Sequence, residues 1–455
     1  VRVFLRSVYR RGTAGYENAR RATAWCRRLP ERYPEVIVNC RSEDDVLGAV
    51  RMAREQNLKL SVCSGGHSWH ANHLRDGALL VNMHGMTDYS VDLPSMSGSA
   101  QPGLRGSDLY LALKEHSVWF PTGHCTDVSI GGFLLQGGVA FNNHRTGPAC
   151  GHVTAIDVVT ATGELIHATD SNEHADLLWA ARGAGGGFFA IVTRYYIRLH
   201  PAQILTSSFY SYPAKYLEDV LGFLQEVGPT TPTEINAMIA WDRTVDPDAP
   251  IITVGVLAFA ESHEEGVRQL AVYESCPVRD KAIAAQIGEV TTQDAISLNG
   301  ADRHYVESKF YNGDCIWTNA SIDATGPILR RITDSLEGMS HVLFTNFGTD
   351  TPPPRPPMAF SLDAKYYYGV YAVWDDPADE RRMREWHLKH MKALEPHSTG
   401  MALADENLED RPARFMLDDN LRRLDRIRDR YDPEHRFVQW MGRPWPPRAA
   451  DATSR

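Results

Sequence analysis

The sequence predicts an α+β fold, and two textures along the chain predict it. Residues 35–200 alternate short apolar strands with amphipathic helices. After Pro201 the chain turns to long β-branched and aromatic runs separated by helical stretches, the pattern of a broad antiparallel sheet covered by helices. A third observation is size. At 455 residues, 43% hydrophobic and 23% charged, the chain is long enough for two or three full cores.

In order, "SEDDVLGAVRMAREQN" is a helix with a capping-box start at Ser42 and Asp45, its face built from Val46, Val50 and Ala53. It feeds a strand over Leu58–Val62, and "ALLVNM" is the next strand. Ser107–His116 reads as a helix capped by Ser107 with Asp108 in its first turn. "AIDVVTATGELIHAT" is a hairpin turning at Thr162 and Gly163, and Ala175–Ala181 is a short helix. A Gly-rich loop and the strand of "FFAIVTRYYIRL" close the first region. Beyond it, "ILTSSFYSYP", "TEINAMIAW", "IITVGVLAFA", "HVLFTNFG" and "AKYYYGVYAVW" read as strands, with helices over Ala214–Val227 and Glu264–Glu274. "TDTPPPRPPMAF" reads as a surface connection, and from about Asp410 a basic helix runs until Asp432-Pro433.

The net charge of −10 argues against a nucleic-acid partner, because phosphate binding needs a basic footprint. No run approaches the ~18 apolar residues of a membrane span, so the expected partner is a small molecule. The polar N-terminal stretch does not read as a secretory signal, although a chain that starts with Val is compatible with removal of an earlier segment. Seven cysteines without a C-x-x-C pair suit reduced thiols in a cytoplasmic protein, one of them with a special role. Monomer and homodimer fit the apolar residues equally well.

Chemistry concentrates in two glycine-rich loops. The first, "CSGGHSWHANH", sits between two strands. His67, His70 and His73 with Cys63 are able metal ligands, but three-residue spacing shares a face only on a helix. Solvent-exposed loop histidines are the plainer reading. A third reading is a phosphate cradle formed by successive backbone N–H groups of "CSGG". The second loop, "FPTGHCTDVSIGGFLLQGG", places Cys125 between glycine pairs. Neither loop follows the strand-to-helix context of a dinucleotide or Walker motif.

Together with "SEDDVLGAVRMAREQ", "LLWAARGAGGGFFAIVT" and "RYDPEHRF", these loops resemble, over nearly the whole chain, the FAD-linked oxidases of the vanillyl-alcohol oxidase superfamily, berberine-bridge-enzyme-like branch. The resemblance implies a two-part FAD-binding domain at 1–200, a substrate domain at 201–405, and a C-terminal segment, 406–455, returning to the FAD domain. It implies that Ser64, Gly65, Gly66 and Ser68 hold the FAD pyrophosphate and that His67 is bonded to the flavin C8 methyl. Cys125 stands where a subset of the family makes a second bond, at flavin C6, within an intact C-x-x-V-x-x-G-G through Val128, Gly131 and Gly132. Gly123 and Gly138 complete the loop, Asn142 matches a polar contact to the isoalloxazine, and Ile191 and Val192 match the adenine side. A valine at 128 implies room for oxygen beside the flavin.

The catalytic base departs from the family pattern. Many relatives carry Tyr-x-Asn where this chain reads "GMALADENLEDRP", leaving Asp405, Glu406 and Asn407. A desolvated carboxylate serves as a base. Further candidates are His144, Tyr305, Lys309 and Tyr311, and the alternating tyrosines that include Tyr366 and Tyr368. The implied function is an oxidase that takes a proton and a hydride from an alcohol, hemiacetal or activated C–H of a natural product, with O2 reoxidising FAD to give H2O2. An amine oxidase, a flavoprotein dehydrogenase and an oxidative cyclase of the same family remain open alternatives.

Overall fold

The computed structural model describes residues 7–443, which form three large sheets and a two-stranded ribbon. The first six residues of the polar N-terminal stretch and the end of the C-terminal segment, 444–455, lie outside the described residues. Strands β1 (Val8–Arg10), β2 (Val36–Asn39), β3 (Lys59–Cys63) and β4 (Ala78–Asn82) make the first sheet in the order β1-β2-β4-β3, with β2, β4 and β3 parallel. All five residues of β4 are buried, as expected of a parallel strand covered on both faces. Ser42 caps the helix Glu43–Glu55 by accepting from the Asp45 N–H at 3.2 Å, and Asp45 reaches back to the Arg41 N–H at 2.9 Å.

The second sheet is antiparallel. Its strands β5 (Tyr89–Asp92), β6 (Ser97–Ala100), β8 (Val153–Thr160), β9 (Leu165–Thr169) and β10 (Ala190–Arg198) lie in the order β5-β6-β10-β8-β9, and the short β7 (Val118–Trp119) pairs with β11 (His200–Pro201). The helix expected over 107–116 runs instead from Gly106 to Lys114 with Arg105 as its cap, so Ser107 lies inside it and caps nothing.

The third sheet has seven antiparallel strands: β12 (Ile204–Pro213), β13 (Glu234–Ala240), β14 (Ile251–Ala260), β15 (Ala284–Thr291), β16 (Phe310–Thr318), β17 (His341–Asn346) and β18 (Tyr366–Trp374), ordered β15-β12-β14-β13-β17-β18-β16. The edge strand β15 escaped the sequence reading because its outward residues are mostly exposed and its pattern is weak. Alternation sets the two faces of this sheet. Tyr210, Tyr212, Val254, Ala237, Val342, Tyr366 and Tyr368 face the helices Leu217–Val227, Ile322–Thr333 and Glu380–Leu394 in one core. Ser207, Phe209, Asn236, Met238, Thr253, Leu343, Thr345, Tyr367 and Tyr371 face the other way, onto a cavity whose other side is formed by the two glycine-rich loops.

Two connections complete the site. The proline-rich loop is only partly a surface feature. Met358 and Ala359 at its end are buried, and the N–H groups of Ala359 and Phe360 donate to Trp179 and Arg182 carbonyls. The segment after Gly400 is stitched to β16 through Trp317 N–H to Gly400 O (2.7 Å) and the buried Arg411–Asp314 pair. Further on, past the helix Asp418–Tyr431, Leu60 of β3 exchanges backbone hydrogen bonds with Arg436 and Val438, so the chain end lies along the first sheet.

Candidate active site

One cavity of about 750 Å³ runs from β3 and the two glycine loops to the inner face of the seven-stranded sheet. That volume falls in the upper part of the range for small-molecule and cofactor sites. Ser64, Gly65, Gly66, His67, Ser68, Gly123, Cys125, Val128, Gly132, Gly138 and Val192 all line it. Gly131 supports rather than lines: a Cβ there would run into Ser64 Oγ and Pro102, so its lack of a side chain lets the two loops interlock. At Gly66 φ is +69°, and a Cβ would fall on the Thr23 carbonyl oxygen, so only glycine serves the loop at that point. Asn142 and Ile191, matched to the isoalloxazine and the adenine side, are buried beside the cavity and do not line it. The Asn142 N–H is committed to Glu234 at 2.6 Å.

The wall near β3 suits a polar, anionic cofactor. Among the described residues, Ser61 Oγ and Asn72 Oδ1 are buried there without a partner, although both residues line the cavity. Arg75 lines it as well, and burial together with neighbouring Arg32 moves its guanidinium down to about 10, still fully charged at neutral pH. Buried polar groups need partners, so these donors and acceptors fit the pyrophosphate and ribose of FAD. His67 sits at the mouth of this region under the Trp25 ring, centroids 4.4 Å apart. Cys125, alone among the seven cysteines in being less than fully buried, lines the same cavity. Desolvation, then the charges of Asp127, Asp302 and Asp405, push its thiol well above the ordinary range, so it is held protonated.

Of the candidate bases, Asp405, Glu406 and Tyr305 line the cavity. Asp405 accepts from Trp69 Nε1 and from the Tyr367 hydroxyl, each at 2.6 Å, and Tyr367 in turn lies 3.1 Å from the Tyr371 hydroxyl. Burial, with the Asp405 charge, pushes both phenols well above the usual range, so they stay protonated as donors. Glu406 bonds Asn72 and the Leu408 N–H, and burial raises its carboxyl to about 7 against the pull of Arg75. Tyr311 faces the right side of the sheet but lies behind Trp69 and Trp25, with its hydroxyl spent on the Val306 backbone at 2.5 and 3.0 Å. It does not line the cavity, and neither does His144, which is buried beside Glu234.

Tyr366 and Tyr368 point to the helix-side core, Lys309 pairs with Asp375 at 2.5 Å, and Tyr305 does line the cavity, 5.3 Å from the Trp69 ring. The residues that sequence reasoning missed are Tyr367 and Tyr371, the opposite parity of β18, and His124. His124 Nε2 meets buried Glu234 at 2.7 Å, and Asn236 donates to the same carboxylate at 2.7 Å. Its signal was its place beside Cys125 in the second loop.

His70 and His73 are not solvent-exposed. His70 bonds the Gly313 carbonyl at 2.8 Å and accepts from Arg28, while His73 meets Thr23 Oγ1 at 3.2 Å. Burial moves both down to about 3, which keeps them neutral packing groups. Among the described residues, no group of three or more His, Cys, Asp or Glu gathers as a metal site.

Residues 34–169 match the model of an FAD binding domain. The FAD-linked oxidoreductase janO of Penicillium janthinellum is 30% identical over 425 residues, spanning 90% of this chain and 91% of that protein. In structure, the chain resembles wild-type Physcomitrella patens BBE-like 1 with a TM-score of 0.80 at 19% identity, covering 95% of this chain and 96% of the other. Phl p 4.0202, described as a glucose dehydrogenase, matches at TM-score 0.80 and 17% identity over 96% of both chains, and an isoleucine-to-valine variant of Phl p 4, described as a glucose oxidase, matches at 0.79.

Proposed function

The chain belongs to the FAD-linked oxidoreductases and has the fold of a BBE-like protein, and from that premise we propose that it is an oxidase with FAD tethered through His67 and Cys125. The observation that carries the reading is the convergence of both residues on one cavity whose far wall is the polar face of the seven-stranded sheet. FAD held there would supply a hydride acceptor that O2 can reoxidise, with H2O2 as the product. The substrate is a small organic donor carrying an alcohol, hemiacetal or activated C–H, seated between the glycine loops and Phe209, Met238, Leu343 and Thr345. The division we favour gives FAD the first 200 residues and the chain end, and the substrate residues 201–405.

The proton goes to the cluster on β18. As the substrate X–H loses its proton to Tyr371 or Tyr367, the phenol hands its own along the 3.1 Å and 2.6 Å contacts to Asp405. Trp69 Nε1 holds the carboxylate in place from its other oxygen. In this way β18 supplies the phenol that the segment 400–412 lacks. Val128, on the cavity wall, leaves room for O2 in this reading.

Mass spectrometry of the denatured protein tests the tethers. His67→Ala and Cys125→Ala should each keep an FAD adduct, and only the double variant should release it. For the oxidase half, photoreduced enzyme mixed with air-saturated buffer should reoxidise within seconds with stoichiometric H2O2. An enzyme that stays reduced in air for minutes is a dehydrogenase, and the proposal is then wrong.

A further inference from the structure

Asp127 stands behind His67, off the cavity wall, and takes no part in the steps above. Its Oδ1 lies 3.1 Å from His67 Nε2, and its other oxygen accepts from Trp25 Nε1. The Trp25 ring covers the imidazole at 32°, and the Trp69 ring meets it edge-on at 5.7 Å, so the ring is clamped on two sides. An imidazole with one nitrogen on a carboxylate carries its proton there, and that second partner fixes the tautomer. Nε2 is therefore the N–H nitrogen, and Nδ1 holds the lone pair. Burial opposes a charge on Asp127, but the hydrogen bonds from His67 and Trp25 outweigh it and hold the carboxyl below its usual range.

We propose that Asp127 is a positioning residue for cofactor attachment, which keeps His67 in the Nε2–H form so that Nδ1 is the nucleophile and which stabilises the charge the ring gains as the bond forms. The idea rests on the reading that FAD is tethered to His67. In that step Nδ1 bonds the carbon of the flavin C8 methyl, and the methyl releases one proton. The imidazole releases the other from Nε2, and the two electrons left with the flavin pass to O2. One C–H, one N–H and O2 become one C–N bond and H2O2. A charge-assisted hydrogen bond favours the transient imidazolium, whereas an amide in the same place keeps the tautomer without the charge.

The test is peptide mapping of purified holoenzyme, with the peptides carrying His67 and Cys125 quantified separately for the FAD mass. Asp127→Asn and Asp127→Leu should retain bound FAD and a native melting curve yet carry about tenfold less adduct on His67, the loss expected for one charge-assisted hydrogen bond. Asp127→Glu should recover much of the adduct. Trp25→Phe removes a donor but not the carboxylate, so it should attach as the parent does. Full attachment in both Asn and Leu variants overturns the role, and so does an equal loss in Trp25→Phe, which would mean that the clamp rather than the charge matters. An unmodified His67 in the parent overturns the tether itself.

Discussion

Removing Arg411 should loosen the site without touching a cavity residue. Its guanidinium grips Asp314 through Nε and Nη2, both at 2.7 Å, and Nη2 also reaches the Cys315 carbonyl at 2.8 Å. Only 3% and 0% of the two side chains are exposed. Breaking one partner of such a pair strands a buried charge and costs about 3–5 kcal/mol. For 455 residues the unfolding entropy is roughly 1 kcal/mol/K, so Arg411→Met should lower Tm by about 3–5 °C.

The cost should depend on pH in a defined direction. Burial already raises Asp314 to about 6 against the pull of Arg411, and without Arg411 it rises further. A carboxyl raised in the folded state stabilises while protonated and loses that contribution as pH rises through its folded value. The deficit of Arg411→Met should therefore be small at pH 5 and full at pH 8. Adding Asp314→Asn to it should recover at least about 2 kcal/mol, because the stranded charge is gone. Scanning calorimetry across that pH range decides it. A deficit independent of pH, or a double variant whose losses simply add, would refute the reasoning.

Three other outcomes follow from the same geometry. Gly66→Ala should fail to bind FAD or fail to fold, since its Cβ has no room beside the Thr23 carbonyl; a yellow, stable Gly66→Ala protein counts against the interlocked loops. Burial raises Glu406 from the ordinary carboxyl range to about 7, so its contribution is complete below the unfolded value and is lost as pH rises through 7; Glu406→Gln should gain on the parent between pH 5 and pH 8 by up to about 3 kcal/mol, read as Tm. Tyr367→Phe breaks the path to Asp405 and should cut kcat by about 10²-fold on any donor that turns the parent over, with a change in the pH profile of kcat; an unchanged kcat removes the β18 cluster from the chemistry.

The cavity wall near β3 was legible because its residues lie in two short contiguous glycine-rich stretches that carry His67 and Cys125. The sheet wall was not. β18 reads "YYYGVYAVW", and every residue in it is buried. Hydrophobic alternation tells inside from outside only when one face meets water, and here both faces are covered. The sequence therefore separates Tyr366 and Tyr368 from Tyr367 and Tyr371 without telling which pair faces the cavity. Tyr311 shows a second limit: parity put it on the cavity face, but distance along the strand put it behind Trp69. Asp405 was readable as a leftover carboxylate, yet its partners come from residues 69 and 367, which no local pattern joins. His70 and His73 looked like exposed loop groups because their partners, Arg28 and Gly313 for the one and Thr23 for the other, are remote in sequence.

The two faces of the seven-stranded sheet also divide the labour of adaptation. Side chains at Ser207, Asn236, Met238, Leu343 and Thr345 line the cavity, while Ile235, Ala237, Ile239, Val342 and Phe344, on the opposite parity, pack against the helices. Exchanges on the ligand side can then retune which donor is accepted while the helix-packed layer keeps the fold standing. A library confined to Ser207, Met238 and Leu343 is a compact place to seek new substrates, because Asn236 and Thr345 are tied by hydrogen bonds to Glu234 and to each other.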